Sequence, residues 1–150
     1  MSLIPEFKDL PSYHVYGYAW IGSDNSEIPA LWQLLEEKFA PVVGHVLPER
    51  TYGIGSEFQP DGTFMYTIAM DYKDGMPIPD GFFIHKIPAG HYAVFIVPMD
   101  AIGLAFTHIY GQWLPVSGWK HRGTPDIEVY EMNSSSPYSM QILIPVEQDI

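Results

Sequence analysis

One carboxylate near the end of the chain lies in an apolar and aromatic stretch. Residues Asp126–Glu131 alternate, so Glu128 and Tyr130 point to one face of a predicted strand. Ile127 and Val129 point to the other face. A Glu in such company is either exposed at a rim or placed to meet a positive partner. Glu128 is therefore the first candidate for ligand chemistry, with the Tyr130 phenol beside it.

A second predicted strand, Ser139–Val146, follows a polar loop and alternates in the same way. We expect it to pair with the first strand and to place Gln141 on the face of Glu128. That face would then carry a carboxylate, a phenol and an amide, and the opposite face would be aliphatic. The amide of Gln141 would orient a ligand by hydrogen bonding.

Composition narrows the class of protein. The chain has 150 residues, a formal charge of −11 and no cysteine. This predicts one domain with its own core, no disulfides and no thiol chemistry. The acidic balance argues against nucleic acid as a direct partner, because such binding needs Lys and Arg to neutralise phosphates. Acidity then serves either solubility alone or a partner that is cationic and favours aromatic surfaces.

Further classes of function find no support. The chain begins without a signal peptide and contains no apolar run long enough to span a membrane, which predicts a cytoplasmic protein. Its six histidines lack metal-site spacing, and Gly53-Ile54-Gly55 lies within a predicted strand, so it is not a phosphate loop. We expect neither metal nor cofactor.

Candidate elements follow the same order in each half of the chain. Each half has a strand, a helix and a hairpin. The first helix is predicted from about Ser26 to Phe39, and the second carries Ile102, Phe106, Ile109 and Trp113 along one seam. The predicted strands are Tyr13–Trp20, Tyr52–Phe58, Thr63–Tyr72, Phe82–Ile87 and Gly90–Val97, together with the closing pair.

This order suggests an internal duplication. A shift of 75 residues overlays Tyr52–Asp71 on Ile127–Val146 and places Tyr66 on Gln141. Leu10-Pro11 and Ile87-Pro88 also correspond, at a shift of 77. We therefore predict an α+β fold of duplicated βαββ units, about 10–75 and 82–150, within one domain of residues 1–150. The units form an antiparallel sheet with two main helices on one side and a ligand cleft between the halves, across which Tyr66 and Gln141 face each other.

An ordered set of motifs then resembles a known family. The set is Trp113–Trp119 (WLPVSGW), Pro125–Tyr130 (PDIEVY) and Ile142–Val146 (ILIPV), with looser matches at Ile87–Phe95 and Phe64–Tyr66. Together they resemble the GyrI-like small-molecule-binding domain, which is also the effector-binding half of AraC- and MerR-type transcription regulators. The resemblance covers nearly the whole chain.

The resemblance implies a deep aromatic pocket for lipophilic and often cationic compounds, with a buried carboxylate as counter-charge. The family commonly has a Glu four residues before the Pro of the last strand, where this chain has Gln141. Glu128 matches the family's other acidic position and could take over the charge. The expected ligand-binding residues are Glu128, Gln141, Tyr66, Tyr130, Trp119 and Tyr18.

Three functions remain open at this point. We expect a stand-alone domain, without an attached DNA-binding segment, that senses or sequesters a small lipophilic molecule. The more specific expectation is that this molecule is cationic and aromatic. The first alternative is a hydrolase of a small electrophilic compound, in which Glu128 acts as general acid/base and Tyr130 or Tyr66 assists. The second is a protein-interaction module of the gyrase-inhibitor kind. The oligomeric state is left open.

Overall fold

The computed structural model describes residues 3–31, 33, 37, 50–72, 74–75, 78, 80–131 and 139–150. Within them the strands are β1 (Glu6–Leu10), β2 (Tyr13–Gly22), β3 (Arg50–Ser56), β4 (Phe64–Asp71), β5 (Phe83–Ile87), β6 (Gly90–Pro98), β7 (Trp119–His121), β8 (Asp126–Glu131) and β9 (Ser139–Gln148). No helix in the described part of the chain is long and apolar enough to cross a membrane.

Eight strands form one antiparallel sheet in the order β1-β6-β9-β8-β3-β4-β2-β5, and the short β7 pairs with the end of β9. The order is symmetric about the central pair of β8 and β3. The predicted antiparallel α+β fold of two duplicated halves is therefore confirmed. Strands β3 and β4 form one half-sheet hairpin, and β8 and β9 form its counterpart.

The sheet is strongly curled, because one two-stranded ribbon bends and contributes strands to both of its edges. β1 pairs with β6, and β2 pairs with β5, in one continuous register in which Leu10 lies opposite Gly90 and Tyr13 lies opposite Ile87. Between these pairs only two residues per strand carry the ribbon from one edge of the sheet to the other. Each of these links begins with a proline, Pro11 or Pro88, which has no N–H for a ladder.

Each face of the sheet buries its own apolar set, because neighbouring strand residues alternate between faces. We call the face closed in by the curl the inner face and the face under the helices the helix face. The inner face buries Val15, Tyr52, Ile54, Ala69, Ile87, Tyr92, Val94, Ile127, Val129 and Leu143. The helix face buries Ala93, Phe95, Val97, Met140, Ile142, Ile144 and Val146 in the second half, and Tyr16, Tyr66, Ile68 and Met70 in the first.

The helix of the second half packs with the predicted seam. It runs over Ile102–His108 and continues as a π-helical turn over Ile109–Trp113. Ile109 is buried, and Ile102, Phe106 and Trp113 pack beside it on β6 and β9. A π turn widens the helix locally and changes the direction of the side chains that follow, a feature often found at functional sites.

The helix of the first half lies partly outside the described residues. Residues 28–31, 33 and 37 of the predicted span Ser26–Phe39 are helical. Ile28 and Leu31 pack against the helix face of β2 and β4. The described parts of both helices therefore lie on the same side of the sheet.

Two strands, β1 and β7, were not predicted from the sequence. β1 carries Glu6, Lys8 and Asp9 and exposes four of its five residues, so it lacks a hydrophobic alternation. Its backbone pairing with β6, a long-range contact, makes it a strand. β7 spans only three residues, which is too short for a periodic pattern.

Candidate functional site

Glu128 lies at the centre of the helix face, on the pseudo-twofold axis between the halves. It pairs with Gly53 across the β3–β8 contact, and Gly53 in turn pairs with Ile68 of β4. The 75-residue shift maps Gly53 onto Glu128, so these two are equivalent positions of the duplicated halves. One half thus supplies a carboxylate at the axis and the other supplies no side chain.

Two phenols, one from each half, hold this carboxylate. The Tyr66 hydroxyl donates a hydrogen bond of 2.8 Å to Glu128 Oε1, and the Tyr130 hydroxyl donates one of 2.7 Å to the same atom. Three of the six predicted site residues are therefore brought together in one cluster. Charge-assisted bonds of this length are stronger than bonds between neutral groups.

The electrostatic setting of Glu128 has opposing causes. Burial raises the pKa of its carboxyl, because desolvation disfavours the charged form, and the nearby Asp126 raises it further. The two phenol donors act in the opposite direction, and burial is the larger effect. Burial also raises the pKa of Tyr130, so this phenol stays protonated and keeps its hydrogen for the carboxylate.

A second carboxylate lies two residues before the first, on the same face. Asp126 is only 7% exposed, and its Oδ2 accepts a hydrogen bond from the Tyr110 hydroxyl. Its Oδ1 lies 2.8 Å from His121 Nε2, while the Gly123 N–H donates to His121 Nδ1 at 2.9 Å. Because Nδ1 accepts, the neutral imidazole carries its proton on Nε2 and donates it to Asp126. Both carboxylate oxygens and both ring nitrogens are thus hydrogen-bonded. We call this group the Asp126 cluster; it fixes the start of β8.

Glu128 opens onto a cleft between the two helices. Both halves line it, with Ile28, Pro29, Phe64 and Tyr66 from the first and Ile102, Gly103, Phe106, Tyr110, Asp126, Glu128 and Tyr130 from the second. The cleft continues past the strand ends to the inner face, where Ala19, Met65, Phe83 and His85 line it. Apolar and aromatic walls around a few polar groups are typical of small-molecule sites.

Gln141 does not share the face of Glu128, so that prediction is wrong. The register of the closing hairpin pairs Glu128 with Ile142 and Val129 with Gln141. Paired residues of neighbouring strands share a face, so Gln141 lies on the inner side with Val129. The register also makes Gln141 the repeat equivalent of Thr67 rather than of Tyr66, because Ile68 and Ile142 occupy matching positions opposite Gly53 and Glu128.

The other two predicted site residues lie away from the described lining of the cleft. Trp119, in β7, stacks on Phe7 with ring centroids 5.1 Å apart and packs against His91 at 5.0 Å. It belongs to an aromatic cluster on the β1 side of the second half, and its role as a pocket wall stays a prediction. Tyr18 is on the helix face, one strand beyond Ile68, and packs against Phe82 at 5.8 Å.

Sequence reasoning missed Asp126 and its partners. The alternation that selected Glu128 also places Asp126 on its face, so this residue could have been found. Tyr110 and His121 come from the π turn and from β7, and no local pattern ties either of them to β8. Among the described residues, no group of three His, Asp or Glu side chains could hold a metal ion.

The fold and the site together define a class. Two βαββ halves that share one curled sheet, with a carboxylate held by phenols between the helices, form a domain built to bind a small molecule. Residues 4–147 match the family model described as the GyrI-like small molecule binding domain. The chain belongs to that family.

Relatives agree with this assignment. The transcriptional regulator BrlR of Pseudomonas aeruginosa is 31% identical over 130 residues, which cover 85% of this chain and 48% of BrlR. The chain thus spans about half the length of this curated relative.

Similar solved structures share the fold at low identity. SAV2435 bound to tetraphenylphosphonium has a TM-score of 0.75 and 17% identity, with 96% of this chain and 94% of that chain covered. The EcmrR C-terminal domain has a TM-score of 0.71 and 17% identity, with 99% and 100% covered. A hydrolase from Listeria innocua has a TM-score of 0.54 and 12% identity, with 95% and 91% covered.

Proposed function

We propose that the cleft binds a small lipophilic cation and that Glu128 is its counter-charge. The observation that carries this proposal is the Glu128 carboxylate in an apolar cleft, held by two phenols on one oxygen. In this role the domain senses or sequesters its ligand. Tyr66 and Tyr130 supply aromatic walls from opposite halves.

The geometry of the carboxylate supports a cation in particular. Both phenols donate to Oε1, and within the described residues no donor reaches Oε2, whose lone pairs are left for a ligand. No Lys or Arg lines the described part of the cleft. A bound cation would lower the cost of keeping the buried carboxylate ionised.

The aromatic rings add a second attraction. The face of a Tyr ring carries partial negative charge and draws a cation within about 6 Å. Tyr66, Tyr130 and Tyr110 all line the cleft close to the carboxylates. A delocalised cation with aryl groups can contact charge and rings together without losing a tight hydration shell. The tetraphenylphosphonium found in SAV2435 is a cation of this kind.

A thermal-shift experiment with shape-matched probes tests the proposal. Tetraphenylphosphonium, neutral triphenylphosphine oxide and anionic tetraphenylborate have similar aryl surfaces and differ in charge. At about one hundred times its Kd, a ligand stabilises the folded state by about 2.7 kcal/mol. For a chain of this size that raises the melting midpoint by roughly 5–10 °C.

Charge selectivity decides the outcome. We expect stabilisation by tetraphenylphosphonium, a weaker effect of the oxide and none by tetraphenylborate. Equal stabilisation by cation and anion would contradict the role of Glu128. If no probe stabilised the protein, the protein-interaction alternative would be favoured over a small-molecule cleft.

Hydrolysis is the second candidate, favoured by the raised pKa of the buried Glu128. A carboxyl group with a pKa closer to neutrality exchanges protons with water more readily at working pH. Glu128 would accept a proton from an attacking water molecule, and Tyr130 would assist the leaving group. Any ligand found in the thermal screen is incubated with the protein and followed by mass spectrometry. Product formation that is lost in Glu128→Gln supports hydrolysis, and an unchanged ligand excludes it for that compound.

A further inference from the structure

Gly53 occupies the position equivalent to Glu128 in the duplicated fold, and its backbone does not explain the choice of glycine. It lies within β3 and does not have a positive φ, so its backbone conformation is open to other residues. Glycine weakens the interior of a strand, because it loses more chain entropy on folding and packs no side chain. A reason for its presence must come from its surroundings.

The space above Gly53 is occupied by the hydrogen bond that joins the halves. A Cβ at position 53 would lie 2.6 Å from Glu128 Oε1 and 2.8 Å from Tyr66 Cζ, and nearer still to the Tyr66 hydroxyl oxygen. Optimal contacts between uncharged heavy atoms lie at 3.5–4.0 Å, so even one methyl group is too large. The Tyr66 phenol reaches Glu128 by passing directly over Gly53.

We propose that Gly53 is a positioning residue of the binding site, which lets Tyr66 of the first half hold the carboxylate of the second. Any side chain there displaces the Tyr66 hydroxyl and leaves Glu128 with Tyr130 as its phenol donor. The inference rests on the proposed role of Glu128 in binding, but its geometry can be tested without a ligand.

Titration of Glu128 reports the hydrogen bond directly. In ligand-free protein with 13C-labelled glutamate, the Glu128 carboxyl signal is assigned by its absence in Glu128→Gln and is followed against pH. A donated hydrogen bond favours the ionised carboxylate, so its loss raises the pKa. We expect Gly53→Ala and Tyr66→Phe each to raise the pKa of Glu128 by about one unit, a tenfold change in proton affinity.

A double-mutant cycle separates positioning from general damage. In the Tyr66→Phe background, Gly53→Ala should raise the pKa of Glu128 by clearly less than in the wild-type background, because the Tyr66 hydroxyl is already absent and only the direct contact of the new Cβ with Glu128 Oε1 and the ring remains. Gly17→Ala is the matched control. Its Cβ would lie nearest to the Ile68 backbone oxygen and 2.9 Å from Ala69 Cβ and Thr67 Cγ2, so it crowds the sheet at least as severely but contacts neither Glu128 nor its two phenols. It should leave the titration of Glu128 unchanged.

Each result decides the matter. An unchanged pKa in folded Gly53→Ala, or an equal further rise in the Tyr66→Phe background, would overturn the positioning role. If Gly53→Ala does not fold, Tyr66→Phe alone carries the test, and an unchanged pKa of Glu128 in that variant also overturns the positioning role. Tetraphenylphosphonium binding is then measured separately. A protein that shows the expected titrations but binds no cation would refute the proposed function and leave the role of Gly53 intact.

Discussion

Replacing Glu128 by Gln should weaken cation binding far more than binding of a neutral analogue. The change keeps the size of the side chain and an oxygen that can accept from the phenols, but it removes the charge. A cation about 5 Å from the carboxylate, at an effective dielectric constant of about 20, gains roughly 3 kcal/mol of Coulomb energy. After the cost of desolvation we expect a net loss of about 2 kcal/mol, or roughly 30-fold in Kd.

Isothermal titration calorimetry with tetraphenylphosphonium at pH 7.5 measures this loss, and triphenylphosphine oxide measures the part unrelated to charge. The matched control is Glu131→Gln, three residues along the same strand, where the carboxylate is exposed and pairs with Arg50 at 3.1 Å. It changes the net charge equally but lies outside the described lining of the cleft. A loss of less than threefold in Glu128→Gln, or an equal loss in the Glu131→Gln control, would refute the assignment of Glu128 as counter-charge.

Three further predictions concern pH and stability. Because the ionised carboxylate binds the cation, the affinity for tetraphenylphosphonium should rise by up to tenfold per pH unit and level off once the pH exceeds the raised pKa of Glu128. Calorimetry from pH 4.5 to 8 measures this rise, and Glu128→Gln should not show it. In the same window Glu128 holds more protons in the folded state than in the unfolded chain. Its contribution to the free energy of unfolding should therefore fall as pH rises from the ordinary carboxyl pKa through the raised one, and urea denaturation of Glu128→Gln should lack that contribution. Tyr110→Phe removes the donor to Oδ2 of the buried Asp126 and leaves only the His121 bond to Oδ1; it should cost about 1–3 kcal/mol in urea unfolding, whereas a cost near zero would contradict the structural role of the Asp126 cluster.

Alternation along single strands was enough to predict Glu128 and Tyr130 as neighbours on one face. The predicted bounds of β8 agree with the structure, and β9 extends the prediction by two residues. The Trp113-containing seam also packs as the helical periodicity indicated. These features depend on residues close in sequence, where the period of 2 or 3.6 reveals the buried face directly.

The faces of two paired strands cannot be matched from periodicity alone. A slip of one residue in register moves every side chain of a strand to the opposite face. The shift of 75 residues holds for β3 and β8, but β4 and β9 correspond at 74, so Gln141 was assigned to the wrong side. The hydrogen bond between Tyr66 and Glu128 likewise joins residues 62 positions apart, and only the tertiary structure brings them together.

The bent ribbon of β1, β2, β5 and β6 makes the two halves exchange their outermost strands. β1 precedes the first half in sequence but completes the sheet of the second, and β5 follows the first half but borders β2 at the far edge. Neither half is a self-sufficient module, since a chain cut between the repeats would strip one edge strand from each fragment. This exchange of edge strands resembles domain swapping, but it takes place within a single chain. A ligand held at the axis by residues of both halves would therefore stabilise one cooperative unit. Its binding would also stabilise the strands at both outer edges of the sheet.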